Sequence, residues 1–182
     1  MKNILILTIL LTTQAYAQFV EGGMDCTVTG NVVVASEEGK FKTYSAMQDG
    51  VKTNEKLTLT YNVGTDSIYI ALKRAQSDKN IVINAFLSTN DAGLIAEKVQ
   101  GDGIILSHKQ SERSISFLPD YIRIKEHKDF AISRYYKNDW HGIYSYVNPP
   151  DSFAHTLTFS CRHTNDKMDS AYKLFTGFKK QK

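Results

Sequence analysis

Only two cysteines, three prolines and one tryptophan occur among the 182 residues, and there is no G-x-S-x-G elbow, P-loop, dinucleotide fingerprint or C-x-x-C. Such motifs activate nucleophiles or cradle phosphates, so that chemistry has no local signature here. A triad assembled only by folding leaves none either, which keeps a small hydrolase among the readings. Charge of one sign is also missing. The formal charge is +3 for the whole chain, far from the basic balance of a nucleic-acid binder, so no nucleic-acid partner is expected. Lys179, Lys180 and Lys182 read as a solvated tail.

No apolar run approaches the roughly 20 residues that span a bilayer. The longest, Ile4 to Leu11, follows Lys2 and precedes the small-x-small triplet Ala15-Tyr16-Ala17. This is the pattern of a secretory signal peptide, residues 1–17, cleaved after Ala17. The remainder, 18–182, is expected to be a single domain, since no Gly/Ser- or Pro-rich linker divides it. The chain is therefore expected to be exported, periplasmic or secreted, with no membrane span after cleavage, and a monomer. Cys26 follows Gly-Met-Asp well beyond the apolar run, so it does not resemble an acylated lipoprotein cysteine.

Metal-ligand spacing is absent too. His155, Cys161 and His163 share one face of a strand, but His155 and His163 stand about 26 Å apart at the usual rise per residue. Cys161 and His163 alone, about 7 Å apart by the same rise, need further ligands that no H-E-x-x-H or second cysteine pair supplies. Gly101-Asp102-Gly103 and Asn165-Asp166 lack the spaced oxygens of a calcium loop. No metal and no cofactor is expected.

Strand signals fill the rest. In "KLTLTYNV", Leu57, Leu59, Tyr61 and Val63 alternate with Lys56, Thr58, Thr60 and Asn62, the pattern of a half-buried strand. In "CTVTGNVVVA", Cys26, Val28, Val32 and Val34 share one parity. Turns at Gly64-Thr65-Asp66 and Ser77-Asp78-Lys79-Asn80 join "SIYIALKR" and "IVINAFLS" to this strand as a meander. "LIAEKV" and "IILSHK" flank Gln100-Gly101-Asp102-Gly103 as a hairpin, with a short helix over 91–99 as the alternative. "RSISFL", "YIRIKE", "FAISRYY", "GIYSYV" and "HTLTFSCR" follow. Many short strands between turn signals predict a mainly β protein, an antiparallel sandwich or barrel of about 8–10 strands. Met168, Ala171, Tyr172 and Phe175 then fall at helical spacing, predicting an amphipathic C-terminal helix over about 165–176. Thr164 or Asn165 would cap it, and Gly177 would suit its exit.

Two cysteines in an exported chain predict one disulfide, Cys26–Cys161. Cys161 shares its face with Leu157 and Phe159, so both thiols point inward from the first and last strands. Their bridge closes more than a hundred residues, worth about 4–5 kcal/mol in the chain-entropy model.

The stretch 135–148 is the candidate contact region. It holds Tyr135, Tyr136, Trp140, His141, Tyr144 and Tyr146. Trp140, Tyr144 and Tyr146 face one way and His141, Ile143 and Val147 the other, so neither face is plainly polar. Tyrosine and tryptophan recur at binding sites and stack on sugar rings, with Asn138, Asp139 and Asn148 as polar neighbours. They are equally favoured as half-buried strand residues. Alanine at Trp140 and Tyr144 separates the readings: a contact face tolerates it and a core does not. His141 alone names no proton-transfer partner. The leading reading is a non-catalytic binding module for a protein or carbohydrate ligand. An assembling subunit using strand exchange, through the glycines before Cys26, is the alternative, and the hydrolase comes last.

Overall fold

The computed structural model describes residues 19–37, 40–44, 51–88, 94–98, 104–108, 113–126, 128–148 and 153–177. The expected signal peptide and lysine tail lie outside this set, as do the turn at 100–103 and the proline pair at 149–150.

Among the described residues the chain runs through β1 (Phe19–Glu37), β2 (Lys40–Tyr44), β3 (Lys56–Gly64), β4 (Ser67–Arg74) and β5 (Ser77–Ser88). It continues through β6 (Leu94–Lys98), β7 (Ile104–His108), β8 (Ser114–Leu118), β9 (Tyr121–Lys125) and β10 (Lys128–Tyr136). Last come β11 (Asp139–Asn148), β12 (Phe153–Asn165) and one helix, α1 (Met168–Gly177). The sheet order is β5-β4-β3-β1-β12-β11-β10-β9-β8-β7-β6, with β2 paired to the far half of β1.

This is chain order wrapped into a ring. From β3 to β5 and from β6 to β12 each strand pairs antiparallel with the next, and β1, set between β3 and β12, joins the two runs. The sheet path is interrupted between β5 and β6, so the result is a nearly closed, barrel-like antiparallel sheet. The mainly β class and the C-terminal helix are thus as the sequence patterning indicates. Leu94–Lys98 forms a strand, paired with β7 from Leu94↔His108 to Lys98↔Ile104.

Alternation sets the core. Leu57, Leu59, Tyr61 and Val63 of β3, Ile68, Ile70 and Leu72 of β4, and Ile115 and Phe117 of β8 are all buried. Tyr61 meets Phe117 edge-on across the interior, ring centroids 5.6 Å apart. Phe130 stacks on Phe159 at 5.8 Å. Gly142 makes room for that stack, because a Cβ there would run into the Phe159 ring. Gly22 likewise leaves space for the Tyr61 hydroxyl, which accepts a hydrogen bond from the Lys167 N–H at 3.1 Å.

Three local expectations change. β1 carries a register shift between Val28 and Gly30, which places an extra residue, Thr29, against β12. A bulge of this kind reverses the parity that follows it. Val32 is consequently exposed and Val34 half-buried, while Asn31 and Val33 turn inward. Ser77 to Asn80 belong to β5 instead of a turn. The chain reverses at Ala75-Gln76, and register shifts after Leu72 and Lys73 absorb the extra length. The helix begins at Met168 because β12 continues to Asn165. Its cap is therefore Asp166, whose Oδ1 accepts the Met168 N–H at 3.2 Å. Met168, Ala171 and Phe175 form the buried stripe, and Phe175 packs on Phe117 at 5.7 Å.

Candidate functional site

The β1–β12 seam is pinned at its centre. Cys26 and Cys161 are directly opposed in the register and bonded, with Cα atoms 4.0 Å apart. Trp140 is the neighbour of Cys161 on β11, and Leu57 the neighbour of Cys26 on β3. Four adjacent strands thus contribute one inward row, Trp140, Cys161, Cys26 and Leu57, all buried.

The six candidate contact residues divide between the two sides of the sheet. Trp140 is fully buried and Tyr144 nearly so. They do not belong to an exposed face, because their parity matches Cys161 and Phe159 across the β11–β12 pairing. Tyr146 is half-buried, with the Lys128 ammonium 5.5 Å above its ring. Burial pushes the Tyr144 phenol up to about 12. Near it, the inward turn of Asn31 at the bulge lets its Oδ1 accept a hydrogen bond from His155 Nε2 at 2.7 Å. Asn31 Nδ2 also donates to the Val51 carbonyl. Burial lowers the His155 pKa below the usual imidazole value.

Outside, the β10–β11 hairpin holds Tyr135 at 82% exposure and Tyr136 at 60%. Tyr135 lies in a register shift between Arg134 and Tyr136, so it projects from a bulge and not from the regular ladder. Its ring meets exposed His141 edge-on at 5.4 Å. Lys137 has φ 46°, a left-handed conformation uncommon for residues other than glycine, asparagine and aspartate. Its ammonium sits 5.3 Å over the Tyr136 ring. Ile143, also exposed, continues the outward face beyond His141.

Beside this hairpin a groove of about 610 Å³ crosses the outside of β11, β12 and β1. Asp25, Lys56, Asp139, His141, Ser160 and Arg162 are among its lining residues. Arg162 Nε donates to Asp139 Oδ1 at 3.0 Å, and Lys56 Nζ to Thr27 Oγ1 at 2.7 Å. Opposite charges and hydroxyls therefore line the groove, and His141 of the same lining meets the exposed Tyr135 ring. Of these residues the sequence pointed to Asp139 and His141 but not to Asp25, Lys56, Ser160 or Arg162, although one signal was available. If Cys161 points inward, Ser160 and Arg162 must point outward. A second hollow, about 630 Å³, lies at the Lys52–Lys56 turn. Arg74 and Glu55 are ion-paired there, and the guanidinium holds the Glu55 carboxyl below its ordinary pKa. Among the described residues no group of three or more His, Cys, Asp and Glu could hold a metal ion, and no helix is long and apolar enough to cross a membrane.

No protein-family model and no curated protein matches the chain. Among solved structures it is similar to a mutant of the vaccine antigen Transferrin Binding Protein B from Haemophilus parasuis Hp5. Identity is 11% and the TM-score 0.31, over 80% of this chain and 27% of that one. This chain thus spans about a quarter of that protein, and a likeness so distant carries nothing about its ligand.

Proposed function

We propose that the chain is an exported, non-catalytic binding module whose contact surface is the outside of the β10–β11 hairpin and the adjoining groove, and whose ligand is a carbohydrate. The observation that carries this is the pair of solvent-facing tyrosines, Tyr135 and Tyr136, on a bulged hairpin. A tyrosine ring left in water offers a large apolar face that a sugar ring covers, while its hydroxyl stays hydrated. Thr27, Ser160 and the Arg162–Asp139 pair supply hydrogen-bond donors and acceptors for sugar hydroxyls alongside. Lys137 supports the same place: backbone strain concentrates at functional surfaces, and its φ is the left-handed one at the tip. His141 contacts Tyr135 and is hydrogen-bonded to no nucleophile among the described residues, which favours binding over hydrolysis.

A protein partner is the second reading, favoured by the adjacency of Arg134 to two exposed tyrosines, residue types enriched at protein interfaces. Strand exchange through the first strand loses support, because Phe19 to Thr27 pair with β3 while Gly23 onward pair with β12. Titration calorimetry of the exported chain against a panel of oligosaccharides tests the carbohydrate reading. Binding by the wild type should weaken at least about tenfold in the Tyr135→Ala/Tyr136→Ala double variant, since anchoring aromatics are each worth about 2 kcal/mol or more. A wild type that binds no saccharide on the panel overturns the carbohydrate assignment. Equal affinity in the double variant removes the hairpin from the surface.

A further inference from the structure

His163, whose backbone borders the outer groove, turns its side chain to the inner side of β12 next to the start of α1. Its side chain is 2% exposed, and neither ring nitrogen has a hydrogen-bond partner. Trp140 meets it edge-on at 5.3 Å and Tyr61 at 6.4 Å. A neutral imidazole in that apolar clamp is tolerated. A charged one is not, because a buried cation needs a partner to offset its lost hydration.

The groups facing His163 are few. From β1, its register partner is Met24. From β3 comes Tyr61, whose phenol burial pushes up to about 12, so it stays neutral. β11 supplies Trp140, while Asp139 beyond it is engaged with Arg162 on the outside. β10 supplies Arg134, its guanidinium 5.3 Å over the Trp140 ring and paired with Asp120 at 3.1 Å. At the head of the helix, Asp166 Oδ1 lies 3.7 Å from His163 Nε2, and Lys167 is exposed. That same Oδ1 caps α1 through the Met168 N–H. Among the described residues, the one carboxylate able to answer a proton on His163 is thus the one holding the first turn of the helix.

We infer that His163 is an acid-sensitive latch for α1. Proton uptake draws Asp166 from the helix cap and charges the clamp between Trp140 and Tyr61, releasing α1 from the barrel while the sheet stays intact. Burial, opposed by Asp166 and by the backbone at Asn165 and Gly23 and reinforced by Arg134, holds the His163 pKa below the usual 6.5. The released state exposes an ordinary imidazole and binds protons first. Docking is therefore pH-independent above about 6.5 and weakens as pH falls below it. The latch stands whether or not the outer face binds a carbohydrate.

Hydrogen exchange on the full exported chain at about pH 7.5 and about pH 5, corrected for intrinsic rates, tests it. The amides of α1, including the Ala171 N–H that donates to the Lys167 carbonyl, should lose protection about tenfold or more in acid, the factor carried by one unit of proton linkage. Those of β3 and β12 should not. Trp140 fluorescence should follow α1. His163→Phe should lose the acid response, with His163→Gln as the second variant should the first misfold. His155→Gln should keep it, which separates the latch from the half-buried His155 imidazole, whose pKa burial also lowers. Parallel loss of protection in α1 and the strands, an acid response surviving in both His163 variants, or no response in the wild type would each overturn the inference.

Discussion

The two sides of the β10–β11 hairpin carry the same residue types in opposite circumstances. Trp140 and Tyr144 lie within the barrel, in line with the disulfide and the Phe130–Phe159 stack. Tyr135, Tyr136 and His141, at most a few residues away, are in water. Nothing in the side chains distinguishes them. Position in the pleat does so for Trp140, Tyr144 and His141, and a bulge does so for Tyr135. An aromatic cluster is therefore two populations, one that holds the seam together and one that is free to touch something else.

Breaking the inner row should have the largest effect. Replacing Cys26 and Cys161 by serine removes a cross-link spanning 135 positions, worth up to about 5 kcal/mol in the chain-entropy model. Urea denaturation of the double variant should show a correspondingly lower midpoint. Trp140→Ala leaves the row intact but empties its end. A loss of about 3–5 kcal/mol is expected from a fully buried indole, and a near-wild-type midpoint would return Trp140 to the surface. Gly142→Ala adds one methyl group to the same side, against the Phe159 ring. Overpacking of that kind costs about 1–3 kcal/mol, visible as a lower thermal midpoint. On the outer side, Tyr135→Ala/Tyr136→Ala should shift stability by less than about 0.5 kcal/mol. That double variant sharpens the contrast most, since under the proposed function its effect belongs in ligand affinity alone.

Much of this was legible in the chain. The alternation in Leu57 to Val63 identifies β3 and its inward face without help. The inward parity of Cys26 and Cys161 leads to the bridge, because no other cysteine competes. Three kinds of information were not local. Thr29 reverses the parity of β1, and nothing in "TVTGNVV" announces a bulge beyond one glycine. The contrast between Tyr135 and Trp140 depends on which side of β11 the ring encloses, which both faces of "WHGIYSY" leave open. β2 escaped because "KFKTY" is short, and its place depends on pairing with Val33 to Glu37. His163 shows a further limit. Its shared face with Cys161 was readable, but the approach of Asp166 and Trp140 is tertiary.

The ring order of the strands also bears on how the molecule is made. β1 is synthesised first, yet one of its two edges belongs to β12, the last strand to emerge. Until β12 has been made that edge has no native mate, and only the β3 side can zip early. Pairing across so long a separation is the slowest kind of β contact to form. The seam that the disulfide later locks is thus an open flank throughout synthesis, and oxidation of Cys26 with Cys161 can mark completion of the barrel but cannot begin it.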